Sequence, residues 1–65
     1  MIDYSPLFQT MENKGITQYQ LLKHKVVDNK TLDTIKKNGN LTLLTLERIC
    51  VYLDCTLNDI VTFKE

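Results

Sequence analysis

The sequence predicts an all-α fold, a bundle of five short helices whose two chain ends could also pair as a small two-stranded ribbon. Two observations carry this prediction. Helix-capping residues recur at short intervals, and apolar residues recur between them at three- and four-residue spacing. The predicted helices cover residues 6–14, 18–25, 29–37, 43–54 and 57–60. Residues 1–65 form one domain of modest stability, because a chain this short buries only about 60% of the surface that it exposes when unfolded.

The first predicted helix is bounded by residues with known roles at helix ends. Ser5 is a good N-cap, and Pro6 occupies the first helical position, where its missing N–H costs nothing. Gly15 ends the helix after Lys14, because glycine adopts a left-handed conformation without steric penalty. The apolar residues of this helix fall on one stripe: Leu7, Phe8 and Met11.

A capping box marks the start of the second helix. Thr17 is followed three residues later by Gln20, so each side chain can satisfy a free backbone N–H, and the helix begins at Gln18. The apolar residues of this helix and of the turn after it are Leu21, Leu22, Val26 and Val27.

The third predicted helix has an apolar face and a polar face. Asp28 is its N-cap candidate, and the aspartate charge also suits the positive end of the helix dipole. Leu32 and Ile35 share the inward face, and the opposite face is wholly polar. The outward residues are Lys30, Asp33, Thr34 and Lys37. Residues 38–40, Asn-Gly-Asn, supply a left-handed stop and a loop.

The fourth predicted helix is the longest, and Thr42 caps it. Its inward residues repeat at helical spacing: Leu43, Leu46, Ile49, Cys50 and Leu53. Leu44, Val51 and Tyr52 lie off that stripe, where they could pack on a neighbouring segment or on a second subunit.

The last segment is predicted to be a short helix and an extended tail. Thr56 and Asp59 mark the start of the fifth helix, and residues 61–63, Val-Thr-Phe, are extended. Ile2 and Tyr4 could pair with this tail as a small ribbon.

Composition narrows the classes of function. Eight Lys and Arg residues balance eight Asp and Glu residues, so the formal net charge is zero and any basic surface for nucleic acid must be local. No apolar run approaches the roughly 18 residues of a transmembrane helix, and the first residues lack the features of a signal peptide. We therefore expect a cytoplasmic protein without a membrane partner.

Cys50 and Cys55 are expected to be reduced residues of the core. Their spacing fits neither the Cys-x-x-Cys redox motif nor a zinc site with a second pair of ligands, and a cytosolic environment keeps thiols reduced. A zinc site that recruits His24 as a third ligand is the alternative interpretation. We expect small buried hydrophobic side chains, with no metal and no cofactor.

Residues 17–38 contain two short helical patterns separated by a turn, which is the arrangement of a helix-turn-helix. The segment resembles the lambda-repressor and Cro type of helix-turn-helix, the XRE-like family, in Thr17-Gln18-Tyr19-Gln20-Leu21, Asp28-Asn29-Lys30-Thr31-Leu32 and Ile35. The second half resembles a compact bacterial and phage subgroup in Thr42-Leu43, Leu46, Ile49-Cys50, Leu53-Asp54-Cys55 and Asp59-Ile60. The likeness therefore covers nearly the whole chain.

This resemblance implies a five-helix bundle, often dimeric, that represses or activates transcription at an operator in double-stranded DNA. Gln18 corresponds to the residue that in relatives contacts a phosphate and braces the next helix, and Lys37 would lie near the DNA backbone. The residues that match base-reading positions are Asn29, Lys30, Asp33 and Thr34.

These side chains have suitable chemistry for base edges. Lys30 could donate to guanine O6 and N7, and Asn29 could pair with adenine N6 and N7. Asp33 could accept from a cytosine amino group, and Thr34 could touch a thymine methyl group or a phosphate. The flanking cationic side chains could neutralise phosphates or form a merely solvated face: Lys23, His24, Lys25, Lys36 and Lys37.

Three residues depart from the family pattern. Val26 stands where relatives usually have Gly, so a left-handed conformation there would be strained, and the second helix could end differently. Leu22 replaces a small Ala at the close helix crossing, which could shift the angle between the two helices. Asp33 turns a negative charge toward DNA and so favours selective over tight binding.

A monomer with few phosphate contacts would bind weakly at physiological salt, so specific recognition suggests a homodimer that reads half-sites about 34 Å apart. Exposed apolar residues of the fourth helix and the tail are the candidates for its surface, Tyr52 and Phe63 among them. The alternative function is a protein-interaction module of the same fold, a regulatory adaptor or antitoxin-like component without strong DNA affinity. The zero net charge and Asp33 motivate that alternative.

Catalysis is not expected. His24 is the only histidine, no Ser or Cys stands in a recognisable nucleophile setting, and two glycines are too few for a phosphate-cradling loop. No second domain is evident that could sense an inducer, so no small-molecule ligand is expected.

Overall fold

The computed structural model describes residues 1–64, which form four α-helices, one turn of 3₁₀-helix and a two-stranded antiparallel sheet. The elements in chain order are β1 (Ile2–Asp3), α1 (Ser5–Lys14), α2 (Gln18–Lys23), α3 (Asn29–Lys36), α4 (Leu43–Leu53), the 3₁₀ turn (Leu57–Asp59) and β2 (Thr62–Phe63). The predicted helical fold is confirmed, except that the fifth helix is a three-residue 3₁₀ turn. Glu65, the last residue of the predicted domain 1–65, lies outside the described residues.

The core combines apolar residues from all four α-helices with a few from the connecting segments. Its buried members are Tyr4, Leu7, Met11, Leu21, Val27, Leu32, Ile35, Leu46, Ile49, Leu53 and Ile60. The prediction that Leu43 belongs to this core is wrong, since its side chain is 76% exposed. Leu43 is the first residue of α4 and lies about 60° around the helix from Leu46 and about 120° from Ile49, at the margin of the buried stripe.

The start of α1 differs from the prediction. Ser5 is the first helical residue and Tyr4 is the N-cap, which makes no side-chain capping bond. Asp3 Oδ1 accepts hydrogen bonds from Ser5 Oγ at 2.8 Å and from the Ser5 backbone N–H at 3.1 Å. These bonds, the hydroxyl bond first, hold the pKa of the buried Asp3 below its ordinary value. Asp3 therefore accepts from both the hydroxyl and the backbone N–H of Ser5. The side chain that caps the start of α1 is Asp3, two residues before Ser5, which the prediction takes as the cap.

Left-handed residues end the α-helices. These residues are Gly15, Lys25, Asn38 and Asp54, with φ between 53° and 69°. Because a left-handed residue cannot continue a right-handed helix, the later helices end at Lys23, Lys36 and Leu53 and not at 25, 37 and 54. The strain that a left-handed Val26 would carry does not arise, because the second helix ends differently: Lys25 takes the left-handed conformation, and the Val26 N–H donates to the Leu21 carbonyl at 2.9 Å.

The two chain ends pair as a ribbon, as predicted for Ile2, but the predicted pairing of Tyr4 is wrong. Ile2 lies opposite Phe63, and Asp3 lies opposite Thr62. Tyr4 follows the strand and turns into the core, where it is 2% exposed. Within residues 1–64, no helix has both the length and the apolar character needed to cross a membrane.

Candidate nucleic-acid interface

Capping side chains fix where α2 and α3 begin. The Gln20 N–H donates to Thr17 Oγ1 at 3.2 Å and the Thr17 N–H donates to Gln20 Oε1 at 2.8 Å, which completes the predicted capping box. The Thr31 N–H donates to Asp28 Oδ1 at 2.7 Å. Since N–H groups in the first turn of a helix have no partner within the helix, these bonds set the start of both helices where the sequence predicts it.

Buried side chains anchor α3 on one side. Leu32 and Ile35 are buried, as are Leu21 of α2 and Val27 in the turn between the two helices. The predicted apolar faces of α2 and α3 are confirmed at these residues. Because the anchors occupy one face of α3, the opposite face is left to solvent.

The solvent side of α3 brings together four of the predicted DNA-contacting residues. Asn29, Lys30, Asp33 and Lys37 are all exposed, and at 100° per residue they fall within an arc of about 100°. We call these four residues the reading face. They offer amide, ammonium and carboxylate groups side by side, which are the groups that distinguish base edges in the major groove.

An ion pair joins two residues of the reading face. Lys37 Nζ lies 2.9 Å from Asp33 Oδ2, and both side chains are more than half exposed. The carboxylate expected to repel phosphates is therefore paired with the lysine expected to approach them. Such an exposed pair within a helix contributes only about 0.3–0.5 kcal/mol to stability, so it can open at little cost.

Thr34 lies outside the reading face, although the sequence predicted that it points outward. Its Oγ1 donates to the Lys30 carbonyl at 3.1 Å, and its side chain is half-buried. Its Cγ2 methyl group faces the loop after α3, where a Cβ added to Gly39 would lie only 2.8 Å from it. Thr34 is turned aside because its hydroxyl satisfies a helix carbonyl and its methyl group packs on the loop.

Gln18 is separate from the reading face. It is the first residue of α2, directly after the Thr17 cap, and its side chain is half-buried. A helix N-terminus carries free N–H groups and a partial positive charge, which is the setting in which a phosphate contact forms. Gln18 therefore lies at the start of α2, and its contact with a phosphate stays a prediction from the resemblance.

The basic side chains near the reading face differ in what they contact. Lys23, Lys25 and Lys36 are exposed, as is His24. The ring centroid of His24 lies 5.6 Å from that of Tyr52 on α4, with an angle of 34° between the ring planes. His24 therefore contacts the scaffold, and the lysines remain the side chains able to meet phosphates.

Positive charge is concentrated in the helix-turn-helix despite the neutral total. Residues 17–38 contain five lysines and two aspartates, a formal charge of +3, so the remaining residues together carry −3. The lysines of this segment are Lys23, Lys25, Lys30, Lys36 and Lys37. Over distances comparable to the Debye length, about 8 Å at physiological salt, this local charge matters more than the total.

The sequence model of a protein family, the Cro/C1-type helix-turn-helix DNA-binding domain, matches residues 7–65. The chain belongs to this family. It is also similar to the crystal structure of the transcriptional regulator VanUg, Form II, with a TM-score of 0.88 and 28% sequence identity, over 98% of this chain and 87% of that chain. No curated protein matches the sequence. The resemblance of residues 17–38 to the Cro type is thus confirmed, and the segment is the helix-turn-helix of a DNA-binding domain.

In this Cro/C1-type domain, a clamp that the sequence does not predict holds the end of α3. The Tyr4 N–H donates to Asn38 Oδ1 at 3.0 Å, and Tyr4 Oη donates to the Gly39 carbonyl at 2.7 Å. Burial raises the pKa of Tyr4, so the phenol keeps its proton. The clamp joins residues 34 and 35 positions apart, which no local pattern reveals.

The two cysteines of this domain are both free and half-buried, packed against the core. Burial, chiefly, raises the pKa of the Cys55 thiol to about 11. A thiol with so high a pKa is protonated at neutral pH, whereas a nucleophilic cysteine requires the thiolate. The chemistry of Cys55 therefore matches the packing role predicted for it.

Proposed function

We propose that this protein is a sequence-specific transcriptional regulator that inserts α3 into the major groove of an operator. The reading face carries the proposal, because it presents four exposed polar side chains on a helix anchored from behind by Leu32 and Ile35. A major groove about 12 Å wide admits one α-helix, and base edges there display distinct donors and acceptors. The Cro/C1-type family supports the same role by analogy.

Each residue of the reading face has a proposed partner. Asn29 pairs with adenine, Lys30 donates to guanine, and Asp33 accepts from a cytosine amino group. Each good base contact discriminates by about 1–3 kcal/mol. Lys37 moves from Asp33 to a DNA phosphate, while Gln18 contacts another phosphate from the start of α2.

The regulator acts as a homodimer in this proposal. One reading face offers few phosphate contacts, and a monomer making so few would bind weakly at physiological salt. Two copies related by a two-fold axis read half-sites about 34 Å apart, one helical turn of DNA. No small-molecule ligand and no catalytic activity are part of the proposal.

Selection from a random duplex library tests this function. The purified protein is incubated with random double-stranded DNA at about 100 mM salt, and bound sequences are recovered over several rounds. We expect enrichment of one motif with two-fold symmetry and a half-site spacing near 10 base pairs. Recovery of unenriched DNA after repeated rounds would contradict operator recognition.

A second candidate function is a protein-interaction module of the same fold. The Asp33–Lys37 ion pair favours it, because that pair neutralises a cation that DNA would use. The salt dependence of DNA binding separates the two candidates: log K falls by about 0.9 per neutralised phosphate as log salt rises. A slope of several units supports the DNA-reading function, and a slope near zero supports the protein-interaction module.

A further inference from the structure

A series of hydrogen bonds connects Tyr4, the residue after β1, to the reading face. Tyr4 Oη donates to the Gly39 carbonyl at 2.7 Å, and the Gly39 N–H donates to the Thr34 carbonyl at 2.8 Å. Thr34 Oγ1 in turn donates to the carbonyl of Lys30, a residue of the reading face, at 3.1 Å. We call the two bonds that Tyr4 donates, to Asn38 and to Gly39, the Tyr4 clamp.

The last residues of the reading helix are not held by buried side chains. Ile35 is the last buried residue of α3, and Lys36, Lys37 and Asn38 after it are exposed. Helix ends fray unless other contacts hold them. Because Lys37 belongs to the reading face and lies directly before the loop, its position depends on what holds that loop.

Asn38 serves both the end of the helix and the clamp. It takes the left-handed conformation, with φ of 56°, at a place where glycine is the usual residue because it has no Cβ. Its Oδ1 accepts from the Tyr4 N–H at 3.0 Å, a bond that glycine could not make. Gly39 follows, and a Cβ added to it would lie 2.8 Å from the methyl carbon of Thr34. The loop after α3 is thus held against α3 and against Tyr4 at the same time.

Tyr4 is a fixed point of attachment for this loop. Its side chain is buried in the core, it is the N-cap of α1, and the two residues before it pair with β2. A buried side chain cannot contact DNA directly. Any effect of the Tyr4 hydroxyl on DNA binding must therefore pass through the loop after α3.

We propose that Tyr4 is a positioning residue for DNA recognition, which holds the last turn of α3 in the orientation in which Lys30 and Lys37 meet DNA. The inference rests on the proposed function and adds to it a residue remote from the DNA. Binding side chains need to be held to within about 0.5 Å by the packing and hydrogen bonds behind them. Without the clamp the loop must be ordered on binding, and ordering the backbone of one residue costs a factor of about 5–30 in an equilibrium constant.

Two hydroxyl deletions of matched chemistry test this role. Tyr4→Phe removes the hydroxyl that donates to Gly39, and Thr10→Val removes the hydroxyl that donates to the Asp59 carbonyl at 2.6 Å, between α1 and the 3₁₀ turn. Fluorescence anisotropy, well below the melting temperature of both variants, measures binding to the selected operator and to random duplexes. We expect Tyr4→Phe to weaken operator binding about fivefold or more and random-duplex binding less than about twofold, because non-specific binding depends mainly on charge. Thr10→Val should bind both duplexes as the wild type does.

Amide hydrogen exchange of the free protein gives a readout without DNA. Exchange rates report local opening, so the loss of protection in Tyr4→Phe should be largest at the amides of residues 37–39. In Thr10→Val the loss should be largest around the 3₁₀ turn, with residues 37–39 protected as in the wild type.

A second pair of variants moves the loop without changing Tyr4. Gly39→Ala places a Cβ against the Thr34 methyl group and pushes the loop away from α3, so operator binding should weaken about fivefold or more. Thr34→Ser removes that methyl group and keeps the hydroxyl. The double variant should therefore bind the operator within about threefold of Thr34→Ser alone.

The positioning role and the proposed function fail in different ways. If the wild type selects an operator, three results would each overturn the positioning role alone: operator binding by Tyr4→Phe that falls no more than that of Thr10→Val, unchanged protection at Asn38 and Gly39 in Tyr4→Phe, or a double variant that binds no better than Gly39→Ala. A wild type that selects no duplex would contradict the proposed function, and the positioning role with it.

Discussion

Single residues on the reading face divide into those that are free and those that are already paired. Lys30 and Asn29 are exposed, and in the described part of the chain neither side chain takes part in the ion pair. Asp33 and Lys37 hold each other at 2.9 Å. We therefore expect Lys30 and Asn29 to determine which base is read, and the Asp33–Lys37 pair to set how much phosphate attraction the helix can add.

Replacing the two lysines should affect binding in different ways. Lys30→Ala should lose about 1–3 kcal/mol of discrimination at one base pair, because a base contact is removed. Lys37→Ala should weaken binding to all sequences alike, because a phosphate contact is removed. Fluorescence anisotropy with cognate and random duplexes measures both effects. Equal losses on the two duplexes for both variants would contradict the assignment.

Removing the charge of Asp33 should release Lys37. We expect Asp33→Asn to bind random duplex DNA several-fold more tightly and to steepen the salt dependence by up to about 0.9, the slope for one further phosphate. Glu12→Gln is a matched control, since it removes one exposed negative charge from α1, away from the reading face. If both variants gain the same affinity, the effect comes from total charge and not from the freed lysine.

At the scale of elements, the start of α3 depends on Asp28. The Thr31 N–H donates to its carboxylate at 2.7 Å, and this backbone bond is the main cause of a pKa below the ordinary value for Asp28. A carboxylate with a lowered folded-state pKa stabilises the fold above the ordinary value, 3.8, and loses that contribution as the pH falls through the folded-state pKa.

Acid unfolding of two variants tests this cap. The wild type should lose stability as the pH falls below 3.8, in part through Asp28. Asp28→Asn keeps an oxygen acceptor but cannot titrate, so its stability should fall less over that range, whereas Asp28→Ala should be less stable at neutral pH as well. Thermal unfolding followed by circular dichroism at several pH values gives the comparison. Identical pH profiles for wild type and Asp28→Asn would show that this carboxylate does not contribute.

Local chemistry explains which elements the sequence predicts well. Thr17 with Gln20, Asp28, and Thr42 each bond to a backbone N–H within three residues, so their helix starts can be predicted from a few neighbouring letters. The alternation of buried and exposed residues on α3 is predicted for the same reason, because it follows from helical periodicity alone.

The features that the sequence does not predict depend on distant contacts. Leu43 fits a periodic stripe, yet it lies at the margin of the buried side of α4 and is exposed. Thr34 has the spacing of an outward residue, but packing on Gly39 draws it aside. Tyr4 meets Asn38 only because the chain ends pair and return to the end of α3. Helical periodicity predicts the direction in which a side chain points from the helix axis. It does not predict which other residues that side chain will contact.

For the whole molecule, the Tyr4 clamp links the ribbon, α1 and the end of α3. Tyr4→Phe removes the hydroxyl that donates to the Gly39 carbonyl at 2.7 Å. We expect a loss of about 1 kcal/mol in the free energy of unfolding, the usual net value of such a bond, and thus a melting temperature lower by about 4–8 °C. Tyr19→Phe is the control, because Tyr19 is 69% exposed and its loss of a hydroxyl should leave the melting temperature unchanged. Equal melting temperatures for wild type and Tyr4→Phe would mean that the clamp contributes nothing to stability.

For the whole molecule, charge is also unevenly distributed along the sequence. The helix-turn-helix carries a formal +3 within a neutral chain. In the proposed function, we expect this uneven charge to favour approaches to DNA that bring the helix-turn-helix toward the phosphates.

The central claim is that the reading face is the surface that contacts the bases. The most direct test is an NMR titration, in which the labelled protein is titrated with a duplex that contains one selected half-site. The account predicts that the largest changes in amide and side-chain shifts occur at Asn29, Lys30, Asp33 and Lys37, with a second set at Gln18, while Val51 and Phe63 stay unchanged. Changes centred on α4 or the terminal ribbon, with α3 unaffected, would contradict it.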